Sequence, residues 1–176
     1  RATGVEVSHR GMSRTVDAGR EVILAASSIN TPKLLMLSGI GPAEDLDVFG
    51  IAVREDLPLG HNLQDHCMVN VNYLTDEPGL FGIFTPENFS LLESEGRGPL
   101  TSNIAEAGGF WRSRAGLDAP DAQFHMAPVM FAEEGLLSPT EHAWSVGACV
   151  LKPQGRGTVR LRSADPREPP SILFNY

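Results

Sequence analysis

Ser27-Ser28-Ile29-Asn30-Thr31-Pro32-Lys33-Leu34-Leu35-Met36-Leu37-Ser38-Gly39-Ile40-Gly41-Pro42, preceded by the apolar run Val22-Ile23-Leu24-Ala25, is the stretch on which the fold assignment turns. A short continuous apolar run of this kind suits a strand buried on both faces. After it the pattern changes. Thr31 can cap a helix whose first position is Pro32, where a missing N–H costs nothing, and the apolar residues Leu34 to Leu37 run into a stop at Ser38-Gly39. The spacing predicts a strand over residues 21–25, a tight turn and a helix.

Such a turn places free backbone N–H groups and the positive end of a helix dipole at a sheet edge, where dinucleotide phosphates are held. The small residues Ala25, Ala26, Ser27 and Ser28 permit close approach either of a cofactor or simply of strand to helix. Around this core, Ala2 to Val7 reads as part of a hairpin and Pro42 to Phe49 as a short helix with Glu44 and Asp45 in its first turn. Ile51 to Glu55 reads as a returning strand.

Beyond residue 75 the periodicity differs. Val69, Val71 and Tyr73 alternate with Met68, Asn70 and Asn72, the period of a half-buried strand. Thr85-Pro86 opens a helix to about Glu95, stopped by Gly96 and Gly98. Strand candidates follow at Ala105–Trp111, Gln123–Val129, Trp144–Leu151 and Gly157–Arg162. Runs of strands with one helix predict an antiparallel sheet. The fold class expected is therefore α/β over residues 1–75 followed by α+β over residues 76–176.

Composition narrows the functional classes. With 41% hydrophobic and 20% charged residues the chain has the makings of a packed core. Fourteen basic against 22 acidic residues, a net charge of −8, speak against a nucleic-acid partner. Arg156, Arg160 and Arg162 near Lys152 alternate with Val159 and Leu161 and read as the solvated face of a strand. Cys67 and Cys149 stand apart in apolar stretches, which indicates buried thiols rather than a disulfide framework. No apolar run reaches the ~20 residues of a membrane span and no signal-peptide layout opens the chain, so a cytoplasmic location is expected.

The quoted stretch, following its strand, resembles the second signature of the glucose–methanol–choline (GMC) family of flavin oxidoreductases, in its choline dehydrogenase-like branch. Two further segments carry the resemblance. Asp56-Leu57-Pro58-Leu59-Gly60-His61-Asn62-Leu63-Gln64-Asp65-His66 is similar to the passage from flavin domain to substrate domain. Gly155-Arg156-Gly157-Thr158-Val159-Arg160-Leu161-Arg162-Ser163-Ala164-Asp165-Pro166 resembles the hairpin that opens the family's C-terminal segment. The resemblance implies part of a Rossmann-like FAD-binding domain (1–75) followed by part of an antiparallel-sheet substrate-binding domain (76–176). It covers the middle part of a family member. Both ends look cut: no G-x-G-x-x-G turn is present, and it is expected upstream of Arg1. The catalytic His and its His or Asn partner are expected downstream of Tyr176, so no catalytic residue is assigned here and the 176 residues alone are expected to be inactive.

The activity implied is oxidation of a primary alcohol to an aldehyde, with hydride passing to FAD; these residues do not tell whether oxygen or a quinone-like carrier then takes the electrons. Ala26, Ser27 and Ser28 are the candidate cofactor-binding residues, although the family usually has Gly where Ser27 stands. Either the turn tolerates a Cβ or the cofactor contact is looser. His66 and Met68 are candidate substrate-cavity residues. The strand Gln123-Phe124-His125-Met126 is similar to one that carries a histidine into that cavity, which adds His125. Choline-oxidising members have an acidic residue two positions after the first histidine. Met68 stands there instead, which disfavours choline. His61, Asp65 and His66 lack metal-ligand spacing, and no G-x-S-x-G elbow supports a hydrolase. Two other readings stay open: an FAD-containing hydroxynitrile lyase of the same family, and a structural or binding module without turnover.

Overall fold

A computed structural model describes the backbone of residues 1–176 and every side chain except that of Glu134. In chain order the elements are β1 (Gly4–His9), β2 (Met12–Asp17), α1 (Ser27–Leu37), β3 (Ile40–Gly41), α2 (Ala43–Asp47), β4 (Glu55–Asp56), β5 (His61–Leu63), β6 (Met68–Leu74), α3 (Pro86–Glu95), β7 (Ala107–Trp111), β8 (Ala122–Ala127), β9 (Ala143–Val150), β10 (Gly157–Arg160) and β11 (Ser171–Leu173). Contacts divide the chain into two compact units, one of residues 1–63 and 156–175, the other of residues 64–155 and 176.

The first unit holds a parallel pair, β3 beside β4, and two antiparallel sheets, β1-β2 and β11-β10-β5. Its core forms where α1 and α2 bury Met36 and Leu46 against Leu161, with Leu37, Phe49, Ile51 and Leu59 packed around them. The alternation expected after Gly157 is present: Val159 and Leu161 are buried while Arg160 and Arg162 stay exposed. Arg160 also grips Asp45 of α2 through both carboxylate oxygens, at 2.8 and 2.9 Å. The short helix expected near 42–49 is α2, entered from Pro42, with the Ala43 N–H donating to Asp56 Oδ1 at 3.0 Å.

Three local expectations are corrected. No strand forms over residues 21–25, because a strand exists only as a member of a ladder and this run has no paired neighbour among the described residues. Ile23 and Leu24 are accordingly open, Ile23 at 79% exposure. Second, α1 starts at Ser27 rather than Pro32, so Pro32 lies inside the helix and Thr31 is not its cap. The pyrrolidine has no N–H to return to Ser28, and the first turn is held instead by side-chain oxygens described below. Third, the returning strand is confined to Glu55 and Asp56.

The second unit is a four-stranded antiparallel sheet in the order β6-β9-β8-β7, with α3 set into the β6–β7 connection. Here the local signals match the structure closely. Thr85 Oγ1 accepts from the Asn88 N–H at 3.3 Å, Pro86 occupies the first turn of α3, and Gly96 closes it in the left-handed conformation at φ 61. The sheet has two unlike faces. One carries Val69, Val71, Tyr73, Trp144, Phe124 and Met126, all still exposed. The other buries Ala143, Ser145 and Cys149. Sequence periodicity places a boundary near residue 75. The contacts break between residues 63 and 64 and return residues 156–175 to the first unit, since β10 pairs with β5.

The turn after β10 is tied by charge. Arg167 donates from Nη2 to Asp165 Oδ2 at 2.6 Å and from Nε and its backbone N–H to Oδ1, which holds the Asp165 carboxyl down to about 2. A depressed carboxyl contributes stability above its ordinary range and loses it as pH falls through the folded value. We expect the Asp165 side-chain carbon to titrate in NMR with a midpoint near 2, and Arg167→Ala to return it toward the ordinary ~3.9.

Candidate functional site

The N-terminus of α1 is built by an unusual residue. Ser27 sits at φ 73, in the left-handed region where a Cβ is disfavoured, and this bend leads residues 21–25 into the helix. A Cβ therefore stands at a left-handed position of this turn. Ser27 Oγ accepts from the N–H groups of Ile29 and Asn30 at 3.3 and 3.4 Å, and Thr31 Oγ1 accepts from the Ala26 N–H at 3.0 Å. Three of the donors near the helix start are thus satisfied locally. The N–H groups of Ser27 and Ser28 have no intrahelical acceptor, and both residues are exposed. Together with the dipole, they form a donor pair suited to an anionic group, and the small side chains of Ala26, Ser27 and Ser28 let that group approach. A dinucleotide phosphate fits this donor set.

The helix is held in place from behind. Lys33 is buried to 9% exposure, and its Nζ donates to the Pro166 carbonyl at 2.8 Å, fastening α1 to the turn after β10. Met36, one turn further on, enters the core beside Leu46 and Leu161.

The substrate-wall candidates fall on the second unit, and ladder register decides which of them meet. Met68 pairs with Cys149, and His125 pairs with Gly147, two residues earlier on β9. Residues directly opposite in an antiparallel ladder share a face, as do i and i+2 along a strand. Met68, Asn70, Gly147, Gln123 and His125 therefore line one face, with Met68 and His125 on the strands flanking β9 and offset by two residues, roughly 12 Å apart at the backbone. Gly147 makes this arrangement possible. A Cβ built on it would meet Asn70 Oδ1 at 2.6 Å and Met68 Sδ at 3.0 Å, so the missing side chain is the space those two groups occupy.

His66 stands apart from this pair. It is exposed and lies two residues before β6, where Cys67 O accepts from the Val150 N–H at 3.1 Å and prolongs the ladder. Its neighbour Asp65 accepts from Tyr176 Oη at 2.6 Å, whereas His61 belongs to β5 in the other unit. Among the described residues no group of three His, Cys, Asp or Glu side chains could hold a metal. Also among them, no helix is long and apolar enough to cross a membrane.

Asn70 shares the face of Met68 and His125 and was not singled out by motif reading, although its i+2 spacing from Met68 was the available signal. Further along the same face, Ser145 Oγ donates to the Val129 carbonyl at 2.6 Å and accepts from the Phe131 N–H at 2.8 Å. Asn72 brackets Phe131 through both its amide groups, each at 3.0 Å. These bonds lay the chain that follows His125 across the sheet face.

Residues 1–68 match the family model described as GMC oxidoreductase. Oxygen-dependent choline dehydrogenases from Rhizobium johnstonii and Brucella ovis are each 42% identical over an alignment of 184 residues that takes in all of this chain and 33% of theirs. Among solved structures, a formate oxidase of Aspergillus oryzae superimposes with a TM-score of 0.84 at 30% identity over 99% of this chain and 36% of that one. Pyridoxine 4-oxidase from Mesorbium loti gives 0.71 at 25% identity over 100% of this chain and 32% of its own. The chain thus spans about a third of the length of the curated relatives it matches.

Ser27 is both a strained residue and a cap, which separates two substitutions. Ser27→Gly removes the strain and, at a cap, costs only tenths of a kcal/mol, so it is expected to leave stability unchanged or raise it by up to about 1 kcal/mol. Ser27→Ala keeps the strain and loses the oxygen, and is expected to cost about 1–2 kcal/mol in chemical denaturation.

Proposed function

The chain belongs to the GMC oxidoreductase family, and on that premise we propose that residues 1–176 are part of an FAD-dependent enzyme that oxidises primary alcohols to aldehydes. The observation that carries the reading is the start of α1. A left-handed Ser27 bends the chain through small residues into a helix whose first two N–H groups are free to meet a phosphate. The formate oxidase neighbours, whose FAD is the subject of their structures, support the same cofactor.

On this reading, Ala26, Ser27 and Ser28 bind the dinucleotide, with Lys33 and Met36 holding the helix that presents them. When bound, FAD would supply the two-electron chemistry as hydride acceptor. The first unit then serves as part of a cofactor domain and the second as part of a substrate domain.

On the second unit His125 offers an imidazole nitrogen to the alcohol oxygen from the sheet face, and Met68 lines the wall beside it with an adaptable thioether. His66 closes the wall from the end of the extended ladder. None of these groups is assigned the proton-accepting role.

Met68 also bears on the substrate. It occupies the position where choline-oxidising members have an acidic residue, so a quaternary ammonium would find no ion-pair partner there. An uncharged primary alcohol is the preferred substrate on that ground. The enzyme is read as cytoplasmic, with oxygen or a quinone-like carrier as the terminal electron acceptor.

Mixing the intact, flavin-loaded protein with uncharged primary alcohols under anaerobic conditions tests the reading. The oxidised flavin absorbance is expected to bleach, and His125→Ala is expected to lower kcat/KM by roughly 10- to 100-fold through a lost hydrogen bond. A flavin that stays oxidised with every alcohol offered, as in a hydroxynitrile lyase, contradicts it.

A further inference from the structure

The second unit contains a cavity of about 530 Å³ lined by the segment leading into α3, the loop that follows α3, and Val129 of the chain laid across the His125 face. Its walls are Leu80, Phe81, Ile83, Leu100, Val129 and Ile104; Ser102 and Ser138 bring hydroxyls, and among the described residues no charged side chain lines it. The volume falls within the roughly 300–1,000 Å³ typical of small-molecule sites.

A second, independent feature lies at the same place. Ile104 has φ 72, and a β-branched residue in the left-handed region is a strained outlier that persists only when its surroundings hold it there. They do so through four hydrogen bonds. The Ala105 N–H donates to the Asn103 carbonyl at 2.9 Å, closing a three-residue turn around Ile104, and the Glu106 N–H donates to the Ile104 carbonyl at 3.1 Å. Ser102 Oγ accepts from the Ile104 N–H at 3.0 Å and donates to Glu106 Oε1 at 2.5 Å. Glycine or asparagine would take this conformation with less strain. The loop instead places a branched apolar side chain at a cavity rim, where Ile104 is still 56% exposed.

The geometry points to a binding site for an uncharged apolar group of aryl or short-alkyl size in this cavity, with Ile104 as the rim residue that selects for it. An apolar lining rejects a charged ligand, because desolvating a charge without a partner is costly. Two sources share this chemistry: the apolar arm of the substrate alcohol, which rests on the function proposed above, and a separate apolar ligand, which does not.

Toluene, which cannot be oxidised as an alcohol, serves as the probe, its affinity for the intact protein measured by equilibrium dialysis. Ile104→Gly and Ile104→Asn both suit the left-handed backbone, so both are expected to melt no lower than the parent while binding toluene about tenfold more weakly. If KM for benzyl alcohol rises in parallel and KM for ethanol does not, the cavity holds the substrate's arm. If toluene affinity falls and neither KM moves, it holds a separate ligand. Toluene that fails to bind the parent protein, or that binds both variants as tightly as the parent, overturns the inference whatever the flavin does.

Discussion

A single left-handed residue sets the geometry on which the first unit's chemistry depends. Ser27 at φ 73 bends the chain where the apolar segment 21–25 gives way to α1. Left-handed geometry at a serine costs on the order of 1 kcal/mol. It persists because its own hydroxyl caps the helix it creates and because Lys33 and Met36 pin that helix from the far side. With Ile29 and Asn30 satisfied by the cap, only the outermost N–H groups point outward. Strain, capping and anion recognition therefore come from the same residues.

The second unit works by a different rule. An antiparallel sheet sorts residues by parity, and parity alone puts Met68, Asn70, Gln123 and His125 on one face and an exposed band of Val, Tyr, Trp, Phe and Met on the other. One face thus carries the polar, hydrogen-bonding groups. The other presents a broad apolar surface of the kind that folded proteins normally cover. The space left by Gly147 between the flanking strands gives the polar face its relief.

Where folding is decided locally, the sequence was easy to read. Thr85, Pro86 and Gly96 bound α3 because capping and left-handed closure involve only neighbours, and the alternation in residues 68–74, 122–127 and 157–160 places those strands to within a residue or two. Long-range pairing was not legible. An apolar run at residues 21–25 has strand character, yet a strand also needs a partner, and among the described residues none pairs with it. The return of residues 156–175 to the first unit depends on β5 meeting β10, nearly a hundred positions apart, which no local pattern announces. Ser27 as cap and Ile104 as a strained rim were hidden for a related reason: a positive φ at a residue with a Cβ runs against its own propensity.

On the function proposed, the amides opening α1 face the flavin dinucleotide. Hydrogen–deuterium exchange of the peptide spanning residues 26–31, compared between the intact flavin-loaded protein and the same protein stripped of flavin, tests it directly. Slower exchange at Ser27 and Ser28 with flavin bound, while residues 29–31 change little, is the predicted result. Equal exchange at Ser27 and Ser28 in the two forms would contradict it.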